Sequence, residues 1–110
     1  MPKKPVRTKP YRASLLKDLK NPEQAAHLLS ACLEDKDPRV FLMALRDVAD
    51  ARGGIRAVAE GTRLNRESLY RMLSRAGNPS LDSLAAVLHA VGLRLAIMPA
   101  PPKHTKRRVA

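Results

Sequence analysis

Residues 63–75, RLNRESLYRMLSR, constrain this chain more tightly than any other stretch. Leu69, Met72 and Leu73 fall at i, i+3 and i+4, with Ala76 at i+7, which makes one narrow apolar stripe of a helix. The opposite stripe carries Arg66, Glu67, Tyr70, Arg71 and Ser74. Asn65 stands just before the first turn, where its side-chain oxygen can accept from the free amides of a helix start. Taken alone, this is the pattern of any amphipathic helix with a solvated charged face. The segment in front adds the decisive context. Ile55, Val58 and Ala59 form a compact apolar face, Thr62 and Arg63 a tight connection, and Leu64 a plug for the angle between two helices. Two short helices joined by a tight turn, the second exposing arginines and polar groups, are the layout of a helix-turn-helix.

The rest of the chain supplies a small core around that pair. A chain of 110 residues forms one domain, and with no Trp, one Phe and two Tyr its core must be aliphatic. Asn21-Pro22-Glu23 is a helix start: a capping residue, proline at the first position and an acid in the first turn. Ala25, Leu28, Leu29, Cys32 and Leu33 then repeat at helical spacing. Asp37-Pro38 repeats the start signal for a helix over residues 38–52, which packs through Phe41, Ala44, Leu45, Val48 and Ala49 and stops at Gly53-Gly54. After the 54–60 and 66–75 pair, Gly77-Asn78-Pro79 is a turn. Ser80 caps a last helix with Leu81, Leu84, Leu88 and Val91 on one face, closed by Gly92. Residues 11–19 are either a short helix or a turn, with Leu15, Leu16 and Leu19 as an apolar patch. The sum is an all-α bundle of five main helices.

One segment departs from helical spacing. Residues 93–98 alternate, with Leu93, Leu95 and Ile97 on one side, and Pro99 stops them, which reads as a short β-strand. The chain offers no second convincing strand. The segment therefore either pairs with its own copy across a two-fold axis, leaving no unbonded backbone edge, or lies irregularly on its own domain. The domain spans residues 11–99: N-terminal helices over 11–36, a central unit over 37–92 and the strand over 93–98. A basic, proline-bearing arm (1–10) and a basic tail (100–110) flank it, both expected to be disordered.

The net charge of +11 is unevenly spread. Residues 1–12 carry +5 and residues 103–110 carry +4, with no acid in either. Residues 51–102 hold seven basic and three acidic side chains, whereas residues 13–50 hold five basic and seven acidic. Positive charge thus sits on the helix-turn-helix half and both tails, which suits a polyanion partner. No run of apolar residues is long enough to cross a membrane and the N-terminus has no signal-peptide stretch, so a cytoplasmic protein is expected. The single Cys32 cannot form an internal disulfide and reads as a small core residue.

A catalytic reading finds little support. His27, His89 and His104 are far apart, with no zinc-like spacing, and no Gly-rich phosphate loop or Ser/His/Asp set is present. No enzymatic activity, metal or cofactor is expected.

RLNRESLYRMLSRAGNPSLDSL followed by VLHAVGLRLAIMP resembles the XRE-type helix-turn-helix antidotes of HigA-like toxin–antitoxin modules. The upstream DPRVFLMALRDVADARGG is similar to the same family, and the likeness extends over about residues 11–99. It implies a phage-repressor-like fold acting as a dimer, binding of the chain's own, palindromic operator, and direct neutralisation of a RelE/HigB-like ribonuclease toxin. Two positions depart from the family pattern: Arg63 stands where the turn often has Gly, and Asn65 replaces the usual Ser cap.

Carried over by position, the resemblance makes Arg66, Glu67 and Arg71 the base-reading candidates. Arginine can clamp guanine O6 and N7, and Glu can accept from cytosine N4. Arg56, Asn65, Ser68, Tyr70, Arg75 and Asn78 are the candidates for the DNA backbone, and Leu93, Leu95 and Ile97 for a dimer strand. Each has a plainer account beside it. Glu67 complements the helix dipole, Arg75 is solvated charge, and Asn78 is a turn residue. The acidic 13–50 half is the surface that suits a basic toxin. Two other functions fit the same residues: a phage-type repressor with no toxin partner, and an RNA- or nucleoid-associated protein working through its basic tails.

Overall fold

Capping residues and prolines set the helix starts where the sequence places them. The computed structural model describes residues 9–102, and its six helices are α1 (Lys9–Asp18), α2 (Pro22–Leu33), α3 (Pro38–Ala51), α4 (Gly54–Thr62), α5 (Arg66–Met72) and α6 (Leu81–Ala90). The Asn21 side chain accepts from the N–H groups of Glu23 and Gln24 at 2.8 and 3.2 Å. Asp37 accepts from Arg39 at 3.0 Å, and Ser80 from Ser83 at 3.1 Å. Each bond satisfies an amide that the first helical turn leaves open.

The core is built around α3. Leu45, Val48 and Ala49 are fully enclosed, and α3 packs against α1, α2 and α4. On the far side α4 lies against α5 and α6, with Val58, Leu69 and Val87 enclosed between them. Arg52, at the end of α3, ties the distant chain ends together. It donates from Nε to the Val91 carbonyl and from Nη1 to the Lys20 carbonyl, each at 2.6 Å. Both carbonyls follow a helix end, where no intrahelical N–H remains to reach them.

Several sequence expectations are corrected. Residues 11–18 resolve to helix and Leu19 to the turn after it, so there are six helices among the described residues, and α1 opens at Lys9, inside the span expected to be arm. Pro10 fits there because a first helical turn needs no proline N–H. The remaining arm residues 1–8 and tail residues 103–110 lie outside the described residues. α5 ends at Met72, earlier than the expected Arg75, because the Ser74 hydroxyl donates to the Arg71 carbonyl at 2.7 Å and the Gly77 N–H to the Ser74 carbonyl at 2.9 Å. Leu33 and Leu81, expected in the core, are 60% and 72% exposed. On α6 the inward face runs through Leu84, Val87, Leu88 and Val91, with Leu81 outside it at the helix start.

Residues 93–98 form no strand, and there is no strand among the described residues. The Leu93 N–H still reaches back to the Leu88 carbonyl at 2.8 Å, and Leu93 packs on the core. Beyond it, residues 94–101 make no backbone–backbone hydrogen bond among the described residues. Leu95, Ile97 and Met98 are exposed, beside an open apolar groove of about 630 Å³ lined by Leu29, Leu33, Phe41, Leu88, Leu95 and Met98.

The loop after α5 gives a sharp test of this geometry. A methyl group added at Gly77 would sit 1.9 Å from the Met72 carbonyl oxygen, a backbone atom that cannot swing aside. Gly77→Ala is expected to destabilise by about 1–3 kcal/mol, as overpacking does, read as a fall in melting temperature. In Gly61→Ala the added methyl meets only Ala90, at 3.2 Å from its Cβ, and the loss is smaller. Equal melting temperatures for the two variants would contradict the tight loop.

Candidate nucleic-acid interface

The turn between α4 and α5 is made by its own side chains. The Thr62 hydroxyl donates to the Val58 carbonyl at 2.8 Å and accepts from the Leu64 N–H at 3.1 Å. Arg63 sits at φ 66°, ψ 9°, in the left-handed region that glycine adopts most easily. For an arginine this conformation costs on the order of 1 kcal/mol, at the position where the family pattern often has Gly. Leu64 then packs into the angle between the helices, half-buried against the core. Asn65 caps α5 by accepting from the Ser68 N–H at 2.7 Å.

α5 docks through Leu69, Met72 and Leu73, all buried, and turns Arg66, Glu67, Tyr70 and Arg71 outward. The side chains of Arg66 and Arg71 make no ion pair among the described residues. The three base-reading candidates therefore share one exposed stripe.

The backbone candidates are more mixed. Tyr70 is about half exposed beside them. Arg56 is exposed on α4, 4.0 Å from Glu60 across one turn, and Asn78 is exposed in the loop before α6. Ser68 is only partly exposed, and the Asn65 side-chain oxygen Oδ1 is committed to the cap. Arg75 lies in the turn after α5, near Asp37. There the carboxyl is held below its ordinary pKa, first by the side-chain and backbone hydrogen bonds of Arg39 and then by the charges of Arg39 and Arg75. Leu93, Leu95 and Ile97 belong to the C-terminal segment and are not part of this surface.

One participant escaped the sequence reading. The Arg46 guanidinium of α3 lies 5.0 Å from the centroid of the Tyr70 ring. On its own helix Arg46 looks like half of an ordinary i, i+4 pair with Asp50, and nothing in the spacing links it to α5.

A family model described as "Probable addiction module antidote protein" matches residues 10–99. The chain belongs to this antidote family. A protein of Haemophilus influenzae (strain ATCC 51907 / DSM 11121 / KW20 / Rd), named only as uncharacterised, is 30% identical over 79 residues, spanning 72% of this chain and 80% of its own length. No solved structure matches significantly. An antidote implies a cognate toxin, and membership places the protein in the antitoxin role of a toxin–antitoxin pair, a regulatory role. Among the described residues of the antidote, no helix is long and apolar enough to cross a membrane, and no group of His, Cys, Asp or Glu is placed to hold a metal ion.

The cap can be tested apart from any ligand. Asn65→Ala removes the acceptor for the Ser68 N–H and is expected to cost about 1 kcal/mol in a urea titration. Asn65→Ser restores an acceptor and should recover most of the loss.

Proposed function

We propose that the antidote is a DNA-binding antitoxin of the helix-turn-helix, XRE type. It represses its own toxin–antitoxin operon and neutralises a RelE/HigB-like ribonuclease toxin by direct binding. The observation that carries the DNA half is the exposed stripe of α5, where Arg66 and Arg71 stand without carboxylate partners among the described residues. Guanidinium groups free in this way can make bidentate bonds to guanine edges, with Glu67 accepting from cytosine or steering a neighbouring arginine. Tyr70, Ser68, Asn65, Arg56, Arg75 and Asn78 serve the flanking phosphates. Operator DNA and newly made toxin both place this work in the cytoplasm.

The antidote acts as a homodimer on a palindromic operator, each copy reading one half-site. The C-terminal segment is the element that joins the copies. Its backbone from residue 94 to 101 is unpaired among the described residues, and Ile97 is fully exposed. A two-fold axis through Ala96 sets Leu95 of one copy across from Ile97 of the other, and the apolar row buries itself. The acidic 13–50 half is left for the toxin.

Co-expression with the product of the adjacent gene, followed by operator gel shifts with and without that product, tests both halves. Copurification of the two proteins and retardation of the operator are expected. Operator binding with no toxin partner would favour a phage-type repressor instead. Arg66→Ala and Arg71→Ala should each lose about 1–3 kcal/mol of discrimination at particular base pairs. Unchanged discrimination in the double variant would remove α5 from the reading role. Ile97→Glu should shift sedimentation toward the monomer; an unchanged dimer would exclude the C-terminal segment from the interface.

A further inference from the structure

Two arginines and two aspartates are linked in series between α1 and α5. Arg12 of α1 donates to Asp47 at 2.8 Å and to Asp50 at 2.6 Å, both on α3. Asp50 also accepts from Arg46 Nε at 3.2 Å, one turn earlier on the same helix. The Arg46 guanidinium then lies over the face of Tyr70, 5.0 Å from the ring centroid. Asp47 is 4% exposed, so the inner end of the series is fixed inside the domain, and Tyr70 at the outer end is half exposed.

We infer that Arg46 is a positioning residue for the operator surface: it holds the Tyr70 ring against α3, so that the phenol hydroxyl meets the DNA backbone at a set place. This rests on the operator reading of α5. A cation over an aromatic face is attracted by the negative charge above the ring, and Arg adds a planar stacking surface. Tyr70 has little else to fix it, because it projects from the outer side of a seven-residue helix whose packing runs through Leu69, Met72 and Leu73. Arg46 is poorly suited to hold a phosphate itself. Its charge is already met by Asp50, and a move toward DNA would break that bond and the stack together. It acts through Tyr70.

The test uses the full chain with Arg46→Gln, Tyr70→Phe, Tyr70→Ala and the pairs Arg46→Gln/Tyr70→Phe and Arg46→Gln/Tyr70→Ala. In the free protein, Arg46→Gln should move the NMR signals of the Tyr70 ring while leaving those of the enclosed Leu69 in place. In operator titrations across a range of salt, Arg46→Gln should weaken binding about fivefold, the size of a cation–π contact. The slope of log affinity against log salt should stay unchanged. The loss should vanish in the Tyr70→Ala background, and equally when Arg46→Gln is combined with Tyr70→Phe, where the ring remains but no phenol hydroxyl is left to be placed. A slope shallower by about 0.9 would mean that Arg46 touches a phosphate directly, and would overturn the assignment. So would an undiminished loss in the Tyr70→Ala background, or unmoved Tyr70 signals in a chain that binds operator. Failure of the parent chain to bind operator, with the ring signals shifted in Arg46→Gln, would instead sink the operator reading on which the inference rests.

Discussion

A helix as short as α5 does not hold its shape in water. Nucleation fixes several residues for one hydrogen bond, and isolated helices below roughly 12–15 residues are marginal at best. The seven residues from Arg66 to Met72 are helical because they are docked. Leu69 is fully enclosed, Met72 and Leu73 are buried beside it, and Asn65 takes up one open amide. Burial of a Leu or Met side chain contributes about 1.5–3 kcal/mol, more than propensity can supply over so few positions. The same docking dictates what faces outward. With 100° per residue, a helix pinned through positions 69, 72 and 73 must turn Glu67, Tyr70 and Arg71 away from the core, and Arg66 stays open at the flank of the first turn. Stability and display of the candidate DNA surface are thus one constraint, carried by three apolar side chains.

Charge is sorted by pairing as well as by sequence. The arginines of the first half meet carboxylates: Arg39 with Asp37, and Arg12 and Arg46 with the Asp47 and Asp50 pair. Of those between 56 and 75, Arg63, Arg66 and Arg71 have no carboxylate partner among the described residues, while Arg56 approaches Glu60 at 4.0 Å and Arg75 lies near Asp37. Pairing leaves the net charge of each half unchanged, but it leaves the open guanidinium groups of the second half available for contacts with a partner.

Much of this was legible in the sequence, and the failures have physical causes. Asn21-Pro22, Asp37-Pro38, Ser80 and Gly92 marked helix ends because capping is local chemistry, settled within three residues. The left-handed φ of Arg63 was not legible, because an arginine where the family pattern often has Gly can equally mark a re-formed turn. The end of α5 was misplaced because a single hydroxyl, that of Ser74, closes the last turn early, and apolar spacing says nothing about it. Leu33 and Leu81 were assigned to the core because periodicity reports which side of a helix is apolar, not how far the neighbouring element reaches along it. The series from Arg12 to Tyr70 was invisible for another reason. It joins three helices through side-chain ends, and only the Arg46–Asp50 step obeys a local spacing rule.

The C-terminal segment shows what one copy leaves unfinished. Its exposed backbone groups can be served by water, so an unpaired edge carries little cost by itself. The apolar side chains cannot be served in this way. Ile97 is fully exposed and Met98 is 78% exposed, next to a groove that already contains Leu33 and Leu95. In the proposed homodimer an identical segment would supply the matching row and the matching backbone edge at once.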